Sequence, residues 1–126
     1  FSQVHVLRSN SLVLSDLVGS LLPIVVSHGE GRVDADEDRL ARLRKAGLTA
    51  MAFTDQLRAP TTRYPMNPNG SPGGLTAVTS DDGRALAMMP HPERAFRSIQ
   101  WSWRPDGLGE YSPWFALFLS AAKQFS

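Results

Sequence analysis

The 126-residue sequence contains no cysteine, which excludes a disulfide, a thiolate metal site and a cysteine nucleophile within these residues. An excess of one charge is also missing, since 13 basic and 12 acidic side chains leave a formal net charge of +1. A nucleic acid or an anionic membrane binds to clustered excess basic residues. We therefore expect neither of them as a partner.

Long apolar runs are absent as well. The most apolar window, residues 12–26, contains Asp16 and Pro23 and falls short of the roughly 18 uninterrupted apolar residues of a membrane helix. The opening residues do not resemble a secretion signal, so we expect a cytoplasmic protein. The chain begins at Phe1, and residues 1–7 alternate like a strand already under way. We therefore expect it to be a piece of a longer polypeptide.

The patterns that are present predict a domain of strands and helices. Acidic residues, then basic residues, then Gly47 predict a helix over residues 37–46. Ser112 followed by proline predicts the start of a final helix, with an apolar face made by Trp114, Leu117, Phe118, Ala121 and Phe125. The predicted strands cover residues 1–7, 12–14, 21–26, 48–53, 75–79 and 85–89, the last two joined by an Asp82-Gly83 turn.

The segment Pro90-His91-Pro92-Glu93 carries the clearest chemical signal. Proline on both sides disfavours helix, so the pattern predicts a stiff, extended segment with His91 and Glu93 on the same side. An imidazole is a suitable general base, and a carboxylate on its other ring nitrogen selects the tautomer and stabilises the imidazolium. The pattern is therefore typical of two members of a nucleophilic triad, and no residue of the sequence is an obvious third member.

Two other interpretations stay open at this point. His28 and Glu30 repeat the spacing of His91 and Glu93, and the two pairs could assemble a metal-dependent hydrolase site. The chain could also be a non-catalytic interaction module. A dinucleotide loop is disfavoured because Asp34 stands where the Gly29-Glu30-Gly31 pattern would need another glycine.

Three motifs together suggest a family: Ser27-His28-Gly29-Glu30-Gly31-Arg32, Asn67-Pro68-Asn69-Gly70-Ser71-Pro72 and Met89-Pro90-His91-Pro92-Glu93-Arg94. In this order they resemble the glutaminase domain of the phosphoribosylformylglycinamidine synthases, class I glutamine amidotransferases of purine biosynthesis. The tail around Trp101, Trp103 and Trp114 resembles the long form, in which glutaminase and synthetase are fused. The resemblance implies an α/β, flavodoxin-like fold with a mixed sheet and flanking helices, of which residues 1–126 are the carboxyl-terminal part.

The resemblance also implies a site. The family's triad is cysteine, histidine and glutamate; His91 and Glu93 match the last two, and the cysteine lies on a nucleophile elbow upstream of Phe1. By analogy, Ser27, His28 and Gly29 are expected to contact the amino-acid end of glutamine. The implied partners are glutamine and the synthetase domain of the same polypeptide. No cofactor or metal is expected in this chain, while ATP and magnesium belong to the synthetase part, and the chain alone is expected to be inactive.

Overall fold

The computed structural model describes residues 1–27 and 31–124. Short 3-10 turns occupy Ser15–Leu17, Pro72–Gly74, Pro92–Arg94 and Ser98–Gln100. The strands and α-helices of this part of the chain are, in order, β1 (Ser2–Val6), β2 (Leu21–Ile24), α1 (Glu37–Lys45), β3 (Thr49–Phe53), β4 (Leu75–Thr79), β5 (Leu86–Met88) and α2 (Phe115–Lys123).

The five strands form one sheet in the order β2-β1-β3-β4-β5, and each of the four neighbouring pairs is antiparallel. The expected mixed sheet is therefore wrong for the described residues. Strands β2 and β3 run in the same direction, because both pair antiparallel with β1, and α1 lies in the connection between them. A parallel pair would require these two strands to be neighbours, and β1 lies between them.

The core lies between this sheet and the carboxyl-terminal part of the chain. Every residue of the central strand β3 is buried. Val4, Ile24 and Trp114 are fully buried in the same cluster, and α2 packs against the turn at Ser15–Leu17. Apolar side chains from both ends of the chain therefore bury one another, which is the dominant favourable term in folding.

Helix α1 confirms the prediction for residues 37–46. The Asp36 carboxylate accepts a hydrogen bond from the backbone N–H of Arg39 at 2.8 Å, and basic side chains occupy the last turn. An N-cap of this kind satisfies a backbone donor that the helix itself cannot satisfy. Neither α1 nor α2 has the length and apolar composition of a membrane-spanning helix, and the same holds for the rest of the described chain.

Helix α2 confirms only part of the predicted apolar face. Trp114 and Leu117 are buried, but Phe118 is 36% exposed and Ser120 is buried in its place. The Ser120 hydroxyl lies 3.3 Å from an Asp16 carboxylate oxygen, so the inner side of the helix faces a polar group of the Ser15–Leu17 turn. Phe125, the last member of the predicted face, lies outside the described residues.

The predicted strand at residues 12–14 is wrong. These residues bend into the Ser15–Leu17 turn, where the backbone N–H of Leu17 donates to Leu14 O at 2.9 Å. The Ser15 hydroxyl donates to Leu12 O, also at 2.9 Å. Local side-chain and backbone bonds of this kind satisfy groups that a strand would offer to a neighbouring strand.

Candidate active site

His91 and Glu93 lie at the exit of the β4–β5 hairpin. The extended segment predicted here is wrong beyond His91, because Pro92–Arg94 form a single 3-10 turn. The backbone N–H of Arg94 donates to His91 O at 3.1 Å. Proline is favourable in the first position of a helical turn, where its missing N–H has no helical partner to lose.

The turn nevertheless brings the two side chains together as predicted. His91 Nδ1 lies 2.6 Å from Glu93 Oε1, and the side chains are 29% and 55% exposed. Partial burial raises the pKa of Glu93, but the hydrogen bond from His91, the backbone N–H of Glu93 and the positive charges of His91 and Arg94 outweigh it. The pKa of Glu93 therefore lies below its ordinary value, and the carboxylate is ionised beside the ring at neutral pH.

The other ring nitrogen of His91 faces the end of β2. His91 Nε2 lies 3.2 Å from the carbonyl oxygen of Ser27. A carbonyl oxygen and an ionised carboxylate can only accept hydrogen bonds, so the doubly protonated ring satisfies both contacts. The neutral ring that keeps its proton on Nδ1 for Glu93 presents a lone pair on Nε2, the arrangement that a general base requires.

Two sets of contacts fix the backbone of this turn. On the amino-terminal side, the backbone N–H of His91 donates to Val25 O at 2.8 Å, immediately after β2. On the carboxyl-terminal side, Ala95 O accepts from Trp101 Nε1 at 2.8 Å and from the Ser112 hydroxyl at 2.5 Å. The sequence around Ser112 predicts only a helix start, and these anchors could not be predicted because they depend on the tertiary arrangement.

A groove of about 890 Å³ lies on the β4–β5 side of the sheet. It is lined by residues 31–33 with Pro68 and Asn69, by residues of the two strands, and by Met89, two residues before His91. Thr76, which is 2% exposed, also lines it, and its hydroxyl has no hydrogen-bond partner in the described part of the protein.

The structure brings Ser27 to His91, but only through the Ser27 carbonyl oxygen. His28 and Gly29, the other two predicted glutamine contacts, lie outside the described residues, as does Glu30. Their roles, and the catalytic roles of His91 and Glu93, stay predictions. Within residues 1–27 and 31–124, no three His, Cys, Asp or Glu side chains are grouped so that they could hold a metal ion.

Residues 67–71 belong to one of the three motifs that suggest the family, and the sequence does not decide their role. The structure places Asn69 against Gly31 and Ser71 against Val33. The composition of this stretch indicated a loop, since proline, asparagine and glycine favour turns. The partners lie 38 residues away in both cases, and no local pattern identifies them.

Comparisons with known proteins identify the fold and the family of this chain. The solved structure of PurLQS from Thermotoga maritima matches the whole chain with a TM-score of 0.64 at 20% identity, which confirms the expected α/β fold. The match spans 47% of that chain. Residues 1–125 match the family described as the CobB/CobQ-like glutamine amidotransferase domain. The chain therefore belongs to this family of glutamine amidotransferase domains.

Proposed function

We propose that this chain is the carboxyl-terminal part of the glutaminase of a phosphoribosylformylglycinamidine synthase. Family membership makes glutamine the expected substrate, and the hydrogen-bonded His91–Glu93 pair at 2.6 Å is the observation that carries the proposal. The parent enzyme releases ammonia from glutamine and uses it, with ATP, to convert formylglycinamide ribonucleotide to the amidine. It is thus a ligase of purine biosynthesis.

In the proposed reaction, a cysteine upstream of Phe1 attacks the side-chain amide of glutamine. His91 takes the thiol proton at Nε2 and returns it to the leaving ammonia, and water then hydrolyses the thioester to glutamate. Glu93 holds the ring through Nδ1 and stabilises the imidazolium while it exists. His91 Nε2 has to leave its contact with Ser27 O before it can accept the thiol proton. A ring nitrogen that donates a proton to a carbonyl oxygen has no free lone pair to act as a base.

The remaining assignments follow the same proposal. The backbone groups around Ser27, His28 and Gly29 bind the amino-acid end of glutamine, and the carbonyl oxygen of Ser27 lies 3.2 Å from His91 Nε2. The partner is the synthetase domain of the same polypeptide, which holds ATP and magnesium. We assign no cofactor to this chain, and we place the parent enzyme in the cytoplasm. No observation on the described residues favours the metal-dependent hydrolase or the interaction module.

Replacing His91 in the parent enzyme tests the proposal. We expect His91→Ala to abolish glutamine-dependent synthesis, while synthesis from added ammonia continues because the ligase site is elsewhere. His5→Ala is the matched control, since His5 lies on β1 and is partly buried but takes no part in the site. Equal loss of both activities in His91→Ala would contradict the catalytic role and indicate a structural one.

The chain without its upstream portion should be inactive. It contains no cysteine, so the purified 126-residue polypeptide should release no glutamate from glutamine above the uncatalysed rate. A coupled glutamate dehydrogenase assay measures this directly. Release of glutamate that disappears in His91→Ala would show that the proposed nucleophile is wrong.

A further inference from the structure

The loop at residues 67–71 is organised around one buried amide. Asn67 is 1% exposed, and its Nδ2 donates to Thr61 O at 2.8 Å and to Ser71 O at 3.0 Å. Its Oδ1 accepts from the backbone N–H groups of Asn69 at 3.3 Å and Gly70 at 2.9 Å. All the hydrogen-bonding capacity of this amide is therefore used, and the loop has a defined shape.

This loop holds the 31–33 segment through two side chains. Asn69 Nδ2 donates to Gly31 O at 3.0 Å, and the Ser71 hydroxyl accepts from the backbone N–H of Val33, also at 3.0 Å. The two side chains are joined to each other, because Ser71 Oγ donates to Asn69 Oδ1 at 2.6 Å. Ser71 is 0% exposed, so it cannot touch a substrate itself.

The 31–33 segment follows the chain that leaves β2 beside His91. That chain is held at Ser27 by His91 Nε2, and it is held again at Gly31 and Val33 by the 67–71 loop. On the amino-terminal side of the residues outside the description, Ser27 is held by the proposed base, His91. On their carboxyl-terminal side, Gly31 and Val33 are held by Asn69 and Ser71.

We propose that Asn69 and Ser71 are positioning residues of the glutaminase site. They act through Gly31 and Val33, and they hold the 31–33 segment in the lining of the groove that also includes Met89, two residues before His91. This inference rests on the proposed function. Loss of the Ser71 hydroxyl would remove the hydrogen bond that the Val33 N–H donates, while Asn69 Oδ1 would keep the backbone N–H of Ser71 at 3.1 Å. The effect should therefore appear in the binding of glutamine more than in the chemical step.

Ser71→Ala in the parent enzyme tests this inference. Ser80→Ala is the matched control, because the Ser80 hydroxyl makes the same pair of bonds in an exposed turn: it donates to Asp82 Oδ1 at 2.7 Å and accepts from the Ala85 N–H at 3.0 Å. We expect Ser71→Ala to raise the KM for glutamine roughly five- to tenfold, the factor of one net hydrogen bond. The kcat should change far less, and Ser80→Ala should leave both constants unchanged.

An unchanged KM in Ser71→Ala, or an equal rise in Ser80→Ala, would overturn the inference. If Ser71→Ala does not fold, Asn69→Asp replaces it, since the carboxylate still accepts from Ser71 Oγ but has no donor for Gly31 O. The same KM criterion then applies.

Failure of the proposed function would be seen separately, as a wild-type parent that releases no glutamate from glutamine. Hydrogen–deuterium exchange then tests the contact itself. The backbone amide of Val33 should exchange faster in Ser71→Ala than in wild type and in Ser80→Ala. Equal exchange in the three proteins would mean that the Ser71 hydroxyl does not hold this segment.

Discussion

Gly83 is the residue of the β4–β5 hairpin at which we expect a single methyl group to do the most damage. Its φ is +74°, and a Cβ built there overlaps the carbonyl oxygen of Asn10 and lies 2.9 Å from the carbonyl carbon. Gly107 has a similar φ of +83°, yet a Cβ there would meet nothing within 4 Å. The two glycines therefore share the backbone strain and differ only in the clash.

The cost of Gly83→Ala can be estimated from what must move. The left-handed conformation costs a residue with a side chain roughly 1–2 kcal/mol at either position. At Gly83, the Asn10 backbone must also withdraw, although its N–H donates to Gly47 O at 3.1 Å and the Leu12 N–H donates to Gly83 O at 3.0 Å. Losing both bonds adds roughly 0.5–1.5 kcal/mol each. We expect Gly83→Ala to cost about 2–5 kcal/mol in total and Gly107→Ala about 1–2 kcal/mol.

Urea unfolding monitored by tryptophan fluorescence measures both variants, and the linear extrapolation gives the difference in unfolding free energy. The buried Trp114 reports on the core. Equal destabilisation by the two substitutions would refute the reasoning, because it would mean that the Asn10 carbonyl yields at no cost.

Two further predictions concern the site and its support. In a ¹³C NMR titration, the pKa of Glu93 should lie below its ordinary value of 4.5. It should rise in His91→Ala, because the hydrogen bond and charge of His91 no longer offset the effect of burial. The stability contributed by the Glu93 carboxylate should be present above about pH 4.5 and should decline as the pH falls through the lowered pKa. An unchanged pKa in His91→Ala would contradict this. Trp114→Phe should lower the free energy of unfolding in urea by about 1–3 kcal/mol, because Pro23 O loses its 2.7 Å hydrogen bond from the indole N–H inside the core. The control Trp103→Phe changes a side chain that is 76% exposed and should cost under about 0.5 kcal/mol. Similar costs for both substitutions would argue against this role of the Trp114 indole.

The elements that could be predicted from the sequence are those with local causes. Helix α1 begins at a capping aspartate and ends before Gly47, which adopts a φ of +74°. The β4–β5 hairpin turns at Asp82-Gly83, where the Asp82 carboxylate accepts from the Ser80 hydroxyl and the Arg84 N–H. Each of these signals lies within a few residues of the element it predicts, so the sequence contains the complete physical cause.

The parts that could not be predicted depend on contacts distant along the chain. The strand order places β1 between β2 and β3, and hydrophobic patterns do not specify which strands become neighbours. The inner face of α2 includes Ser120 and not Phe118, because the Ser15–Leu17 turn brings Asp16 to that side. Residue type alone favours phenylalanine for burial, and only the tertiary arrangement reverses this preference.

The candidate site combines a local contact with a distant one, and the two contacts involve different nitrogens of the His91 ring. The Nδ1 contact joins residues two apart, so the short turn from His91 to Glu93 is sufficient to form it. The Nε2 contact joins residues 64 apart and depends on the end of β2. The orientation of the base by its carboxylate is therefore a local property, which explains why it could be predicted. The partner of Nε2 is set by the assembled fold. A change in the chain that follows β2 should therefore alter the hydrogen bond of Nε2 with Ser27 O and leave the pairing of Nδ1 with Glu93 intact.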